Sequence, residues 1–295
     1  MKSTVDSAEA VPTRRALPWL RAGAGVLVLG FVLWRVGTGP FVAGLRVIGP
    51  WTVLAALATG LASTLCCAWR WRRIAARLGV ELPRRTSLAA YYRSVFLNVT
   101  LPIGVAGDVH RAVRHGRQID DLGRGARAVV LERATGLVAQ VCLACAALLV
   151  LPSPLSSAGA AVALAVTAAV VLVVLAGIVL ARVVAVVVLV ASSGALAANL
   201  TLFVVTARAA GVRAPLPSVL GLTLLTLLAT ALPLSVAGWG PREGVAAWAF
   251  AGAGLGAEQG VTASVAYGAL TLVACLPGAA VLMAQSLRPQ GRWAA

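Results

Sequence analysis

Leu101-Pro102-Ile103-Gly104-Val105-Ala106-Gly107-Asp108-Val109-His110-Arg111 and Leu232-Pro233-Leu234-Ser235-Val236-Ala237-Gly238-Trp239-Gly240-Pro241-Arg242 align without a gap and agree at six of eleven positions. Pro, Gly and Arg are the uncommon residues of this Ala-, Val- and Leu-rich chain, and all three coincide. Each copy interrupts an apolar stretch, the first within 86–107 and the second within 215–256. Pro102 and Pro233 each remove a backbone donor and stop a helix, while Gly107 and Gly238 permit a turn and a close backbone approach. Two half-helices are expected to follow the breaks. Asp108 serves as N-cap of one running 109–117, and Pro241 fits the first position of another running to Gly256, with Gly240 just before it.

The surroundings of the two copies say which solvent they meet. The chain has 295 residues, 60% hydrophobic and only 12% charged, with a mean hydropathy of +0.93, far from globular usage. This is the composition of an integral membrane protein. Basic residues outnumber acids by 25 to 9, leaving +16. All but Lys2 are Arg, and most lie between Arg70 and Arg133. Because these Arg separate long apolar runs, lipid headgroups and the positive-inside rule account for them, and a soluble nucleic-acid binder is excluded.

Six stretches approach the ~20 apolar residues of a spanning helix: 19–36, 47–69, 126–151, 160–181, 183–206 and 260–286. Trp19 and Trp34 bracket the first, and Trp51 and Trp69 the second, ~22 and ~27 Å apart along a helix, as interfacial belt residues would be. Arg70, Arg72, Arg73, Arg77, Arg84 and Arg85 follow the second span, and Arg111, Arg114, Arg117, Arg124 and Arg127 precede the third. Both loops therefore belong in the cytoplasm. The uncharged loop 152–159 goes outside, which leaves both termini cytoplasmic. Arg35, Arg46, Arg208 and Arg213 are the exceptions on the outer side. Residues 1–18 read as a retained polar cytoplasmic tail, since no small-residue cleavage site follows a short apolar core.

On this topology each broken segment starts and ends on one face, the first inside and the second outside. The expected fold is thus an all-α polytopic membrane protein in a single domain over 1–295. It has about six full spans and two broken or re-entrant helix pairs related as an inverted repeat. Irregular backbone at membrane depth is tolerated only where protein buries it or a polar cavity solvates it, and paired broken helices mark midplane binding sites in inverted-repeat transporters.

Two helix N-termini, each with an Arg in its first turn, form a candidate anion site suited to phosphate. Arg111 and Arg242 are its candidate ligands. They are equally able to pair with Asp108 and Glu243 as structural groups, although intramembrane charge reads as functional by default. Glu132 and Arg133 suit a gate or internal ion pair, or else a pair solvated at the interface. Arg93 sits well inside the first dip and must snorkel, pair or meet a headgroup.

His110 and His115 with Asp108 are spaced poorly for a metal, and no nucleotide, dinucleotide or hydrolase motif occurs, so no metal or cofactor is expected. The five Cys lie in apolar stretches, where Cys142 and Cys145 read as packing residues and no extracellular disulfide framework forms.

Asn98 to Arg111 (NVTLPIGVAGDVHR), Leu131-Glu132-Arg133 and Leu232 to Glu243 (LPLSVAGWGPRE) together resemble the signature segments of the lysylphosphatidylglycerol synthase transmembrane region family. The resemblance runs in order through most of the chain. It departs from the family where two adjacent Gly usually precede the Asp: Ala106 replaces one, Ala237 makes the matching change, and both turns are expected to tighten. The connection between Arg182 and Arg208 also looks shorter than the family's.

The resemblance implies a flippase-like membrane domain that moves or binds a modified polar lipid between leaflets of the cell membrane. Long members add a cytoplasmic aminoacyl-transferase domain. This chain ends at Ala295, shortly after its last span, so aminoacyl transfer is not expected of it.

Three readings follow. The first is a flippase for a phospholipid or lipid-linked glycan, not an enzyme, with Arg111 and Arg242 on the headgroup. The second is a lipid transferase using Asp108 or Glu243 as general base, which the neighbouring Arg disfavour by stabilising the charged carboxylate. The third is a non-transporting lipid-binding or scaffold partner in envelope-lipid metabolism. Small residues such as Gly23, Gly25, Ala144 and Ala147 permit close helix packing. A homo-oligomer or a separate lipid-modifying enzyme are the candidate partners.

Overall fold

The computed structural model describes residues 26–101, 104–150, 182–231 and 239–286, and these form helices joined by short turns. In chain order they are α1 (Val26–Val36), α2 (Gly39–Arg46), α3 (Pro50–Arg77), α4 (Arg84–Thr100), α5 (Ala106–Gln118), α6 (Leu122–Val150), α7 (Arg182–Ala209), α8 (Leu216–Leu228), α9 (Pro241–Gly252) and α10 (Ala257–Ser286). A 3₁₀ turn, Ala229–Ala231, prolongs α8.

Among the described residues four helices, α3, α6, α7 and α10, are long and apolar enough to cross a membrane, or five spans if the bent pair α1–α2 counts as one. They match the expected spans at 47–69, 126–151, 183–206 and 260–286. The expected span 160–181 lies outside the described residues, as do residues 19–25 of the first. The described part of that first segment is the helix α1, and just past its expected end the chain turns by 96° into α2. Gly37, at φ +79°, makes the corner, and Gly44 of α2 then packs against Val265 of α10. Trp34 and Trp51 are largely exposed, as lipid-facing belt residues would be.

Local sequence explains the helix ends. Pro50 occupies the first turn of α3, where its missing N–H costs nothing. The Gly49 N–H donates to Thr52 Oγ1 at 2.9 Å. The far end of α3 and the far end of α7 close in the same way. Gly79 (φ +75°) and Gly211 (φ +87°) take the left-handed conformation that only glycine adopts freely. The Val80 N–H then reaches back to the Ala75 carbonyl and the Val212 N–H to the Ala207 carbonyl, both at 3.0 Å. Pro83 and Pro215, at ψ 145° and 144°, launch α4 and α8. Even the carbonyl before each proline is treated alike, since Arg72 donates to the Leu82 oxygen and Arg208 to the Ala214 oxygen, each at 2.8 Å. The sequence behind both turns is Gly-Val-x-x-Pro.

α3 and α7 pack along each other in opposite directions: Cys66 lies against Gly194, and Arg70, a turn later, meets Ser192, which comes earlier. α4 packs on α10, and α6 on α8. The apolar core between α3, α7, α8, α9 and α10 is built on Phe203, Leu222, Phe250 and Leu270, all fully buried. Burying each large side chain of this kind contributes ~1.5–3 kcal/mol in water; in lipid, close packing takes over that role.

Both expected helix breaks are present. α4 ends at Thr100 and α5 begins at Ala106, with Gly104 at φ +65° between them. At the second, the chain is again non-helical at Trp239 and Gly240, just before α9 begins at Pro241. Pro102, Pro233, Ala237 and Gly238 lie outside the described residues.

Three expectations about the first break are corrected. Asp108 is not the N-cap of α5: the helix starts three residues earlier than expected, after Val105, and the Asp108 carboxylate is drawn to side chains instead. Gly107 is likewise inside the helix and not in a turn, and Ala106 is the first helical residue, so no turn is tightened there. Gly107 acts by close approach, because a Cβ at this position would collide with the Ser94 carbonyl of α4. Pro241 does open α9 as expected, and Gly240 before it, at φ +114°, holds a backbone that other residues avoid.

Candidate functional site

The break between α4 and α5 folds the two helices against each other, and polar residues hold the join. Asn98 accepts from the Gly107 N–H at 2.8 Å and donates to Asp108 Oδ2 at 3.0 Å. Ser94 donates to Asp108 Oδ1 at 3.0 Å. The same carboxylate pairs with Arg111 at 3.1 Å and with Arg133 of α6 at 2.6 Å. Asp108 thus binds α4, α5 and α6 together.

Arg111, 1% exposed, continues the chain of charges to Glu132 at 2.8 Å. Glu132 is fully buried and also takes Arg70 of α3 at 2.6 Å. Arg70 in turn donates to Ser192 of α7 at 2.9 Å. The Arg111 guanidinium carbon lies over the rings of Trp71 (4.7 Å to the centroid) and Tyr91 (4.4 Å). Each such contact is worth ~2 kcal/mol or more when desolvated. Three guanidiniums, Arg70, Arg111 and Arg133, therefore share two carboxylates, which leaves one positive charge in excess. Of the five, only Arg133 has a substantially exposed side chain, at 48%.

The second break carries a smaller version. Arg242, 6% exposed, pairs with the fully buried Glu243 at 2.6 Å. Ser264 of α10 bridges the two, accepting from Arg242 Nε at 3.0 Å and donating to Glu243 Oε1 at 3.1 Å. Glu243 also accepts from the Gly240 N–H at 2.8 Å, which fixes the start of α9. Again two rings flank the guanidinium, Trp239 at 5.5 Å and Tyr267 at 5.2 Å. Arg111 and Arg242 occupy equivalent places in the sequence repeat, and each is a buried cation between two aromatic rings and against a buried Glu.

The expected anion sites at helix N-termini are not simply open, because carboxylates of the chain pair with both arginines, although Arg111 Nε and Nη1 stay buried without a hydrogen-bond partner. Arg111 lies in the second turn of α5, not the first. Glu132 is an internal ion-pair partner, not a solvated one, and its path from Arg111 is short because α5 and α6 fold back at 119–121, where Gly116 and Gly125 touch. Arg93 is 2% exposed and pairs with no carboxylate among the described residues; it donates to Gln285 of α10 at 2.5 Å.

Sequence reasoning did not single out Arg70, Trp71, Tyr91, Ser94, Trp239, Ser264 or Tyr267 as site residues. The one available signal was Asn98 and Ser94, polar side chains inside an apolar run. Among the described residues, no group of three or more His, Cys, Asp or Glu converges to hold a metal ion, and the five Cys are free.

No protein of curated function matches the chain. A family model does, in two stretches covering residues 19–188 and 178–278, and it is described as the lysylphosphatidylglycerol synthase TM region. With its long apolar helices and its twin breaks, this multi-pass membrane protein belongs to the lysylphosphatidylglycerol synthase TM region family.

Proposed function

We propose that this protein is a flippase-like transporter, not an enzyme, that carries a polar, anionic or modified lipid headgroup, of a phospholipid or a lipid-linked glycan, between the leaflets of the cell membrane. The observation that carries the reading is the recurrence of one charged motif at two helix breaks, Arg111 with Glu132 between Trp71 and Tyr91, and Arg242 with Glu243 between Trp239 and Tyr267.

An inverted repeat of α3–α6 and α7–α10 accounts for that recurrence. Its support is the matched Gly-Val-x-x-Pro turns, the opposed directions of α3 and α7, and the reciprocal packing of α4 on α10 and α6 on α8. Such a repeat offers two alternative arrangements of similar energy, one open to each side. The ion pairs then act as gates: a headgroup phosphate competes with Glu132 or Asp108 for Arg111 and Arg133 on one side, and with Glu243 for Arg242 on the other. Exchange of one anion for another leaves the buried guanidinium paired throughout, which avoids the cost of an unpaired buried charge. Both termini are cytoplasmic in this scheme, and the Arg-rich ends of α3 and α5 face the same side.

Leaflet exchange of fluorescent phosphatidylglycerol in proteoliposomes tests the proposal. The wild type should exchange lipid faster than empty liposomes, and Arg111→Lys and Arg242→Lys should each remove most of that activity while remaining folded. Lysine keeps the charge but loses the planar fork and ring stacking. No exchange by wild type with phosphatidylglycerol or with lipid-linked glycan overturns transport. It would favour the second reading, a lipid-binding partner of a separate lipid-modifying enzyme, to which the pairing of both arginines with internal carboxylates is equally suited.

A further inference from the structure

Arg93 and Arg114 converge on one neutral oxygen. Arg93 Nη1 of α4 and Arg114 Nη1 of α5 donate to the same Gln285 Oε1, near the end of α10, at 2.5 and 2.8 Å. His110 lies one turn before Arg114 on the same helix. Among the described residues no carboxylate pairs with either arginine, in contrast to Arg70, Arg111, Arg133 and Arg242. Arg93 is 2% exposed, and its Nε is buried with no hydrogen-bond partner.

An amide oxygen accepts hydrogen bonds but carries no charge to offset two guanidiniums held side by side. A buried donor left open in such a place signals a missing acceptor. His110 is exposed and Arg114 half-buried, so the cluster is reachable from outside the bundle. Guanidiniums match the geometry of phosphate oxygens, with several N–H donors able to bind at once.

We propose that Arg93, Arg114 and His110, oriented by Gln285, form a phosphate-binding site distinct from the two carboxylate-paired arginines. The ligand is a phosphate oxyanion, either the phosphodiester of a phospholipid or free phosphate. The site lies at the last turn of α10 and the middle of α4 and α5, where a headgroup would approach from the bundle surface. The inference deepens the lipid-handling reading by naming the group recognised, but it rests on this cluster alone and does not require that lipid be moved.

The test is binding, not transport. Purified protein in uncharged detergent is titrated with inorganic phosphate, and separately with soluble dihexanoyl phosphatidylglycerol, against chloride at matched ionic strength. Thermal unfolding read by Trp fluorescence reports occupancy. Wild type should show a saturable rise in Tm with at least one phosphate-bearing probe and none with chloride, and Arg114→Gln should weaken the apparent Kd at least tenfold. Saturation at much lower concentration by the lipid identifies a headgroup, and the reverse identifies free phosphate.

Because Arg93→Gln could fail to fold, Gln285→Glu supplies the second arm. An internal carboxylate should raise the ligand-free Tm and abolish the response to phosphate. No saturable response in wild type, or an unchanged response in both Arg114→Gln and Gln285→Glu, overturns the site. Loss of leaflet exchange with binding intact would instead overturn only the transport reading.

Discussion

Arg70 and Glu132 stand 62 residues apart in the sequence and meet at 2.6 Å, with Glu132 wholly buried. Their contact ties α3 to α6, and through Arg111 it extends to α5. Buried ion pairs of this kind repay their desolvation only when every charge keeps a partner.

Glu132→Gln should therefore be costly out of proportion to its size. It leaves Arg70 without its carboxylate and Arg111 with only Asp108. A loss of ~3–5 kcal/mol is expected, read as a fall in Tm in detergent. In a double-mutant cycle, Arg70→Met combined with Glu132→Gln should cost much less than the sum of the two. Strict additivity would show that the pair does not form.

The second cluster separates charge from capping. Glu243→Gln keeps an oxygen for the Gly240 N–H but gives up the charge opposite Arg242, whereas Glu243→Ala gives up both. Unfolding midpoints should fall in the order wild type, Gln, Ala. Equal midpoints for Gln and Ala would mean that the Gly240 contact contributes nothing.

Gly107 and Gly268 both leave room for a neighbour, but of different kinds. A Cβ at Gly107 collides with the Ser94 backbone, and one at Gly268 collides with the Arg242 guanidinium, the far end of a flexible chain. Gly107→Ala should destabilise strongly or prevent folding. Gly268→Ala should leave folded protein with a displaced Arg242, detectable as altered fluorescence of the flanking Trp239. The opposite ranking would contradict the packing of α4 on α5.

Membrane sidedness is open to direct test. Glu81 and Arg213 occupy the same position in the two Gly-Val-x-x-Pro turns and are both exposed. On a Cys-free background, Glu81→Cys and Arg213→Cys should label from opposite faces of the membrane with an impermeant thiol reagent. Labelling from one face would end the inverted-repeat proposal. Ser94, by contrast, is 1% exposed and unsuited to labelling.

The two helix breaks were legible in the sequence because their cause is local. Proline and glycine punctuate both copies of Leu-Pro-x-x-Val-Ala-Gly, which marks where helices end, but the glycines seen to turn the backbone there are Gly104 (φ +65°) and Gly240 (φ +114°), while Gly107 is helical. The apolar lengths of α3, α6, α7 and α10 were legible for the same reason, since the bilayer sets a length that any single helix must meet. The paired turns at Gly79 and Gly211, five residues each, were not anticipated from the sequence, where the longer Leu-Pro-x-x-Val-Ala-Gly repeat stands out instead.

What the sequence determined by itself was thus a membrane chain of long apolar helices, twice broken, with an arginine after each break. Tertiary structure alone decided what those arginines do. Spacing along Trp69-Arg70-Trp71-Arg72-Arg73 gives the phase of each side chain around α3, but not which phase faces a carboxylate from α6 and which faces water or lipid. Arg70 went inward to Glu132, Trp71 went under Arg111, and Arg72 turned back to the Leu82 carbonyl. Those outcomes depend on how separate helices approach one another. The pairing of a buried charge is a property of the packed bundle, because only there is the cost of leaving it unpaired large enough to select its partner.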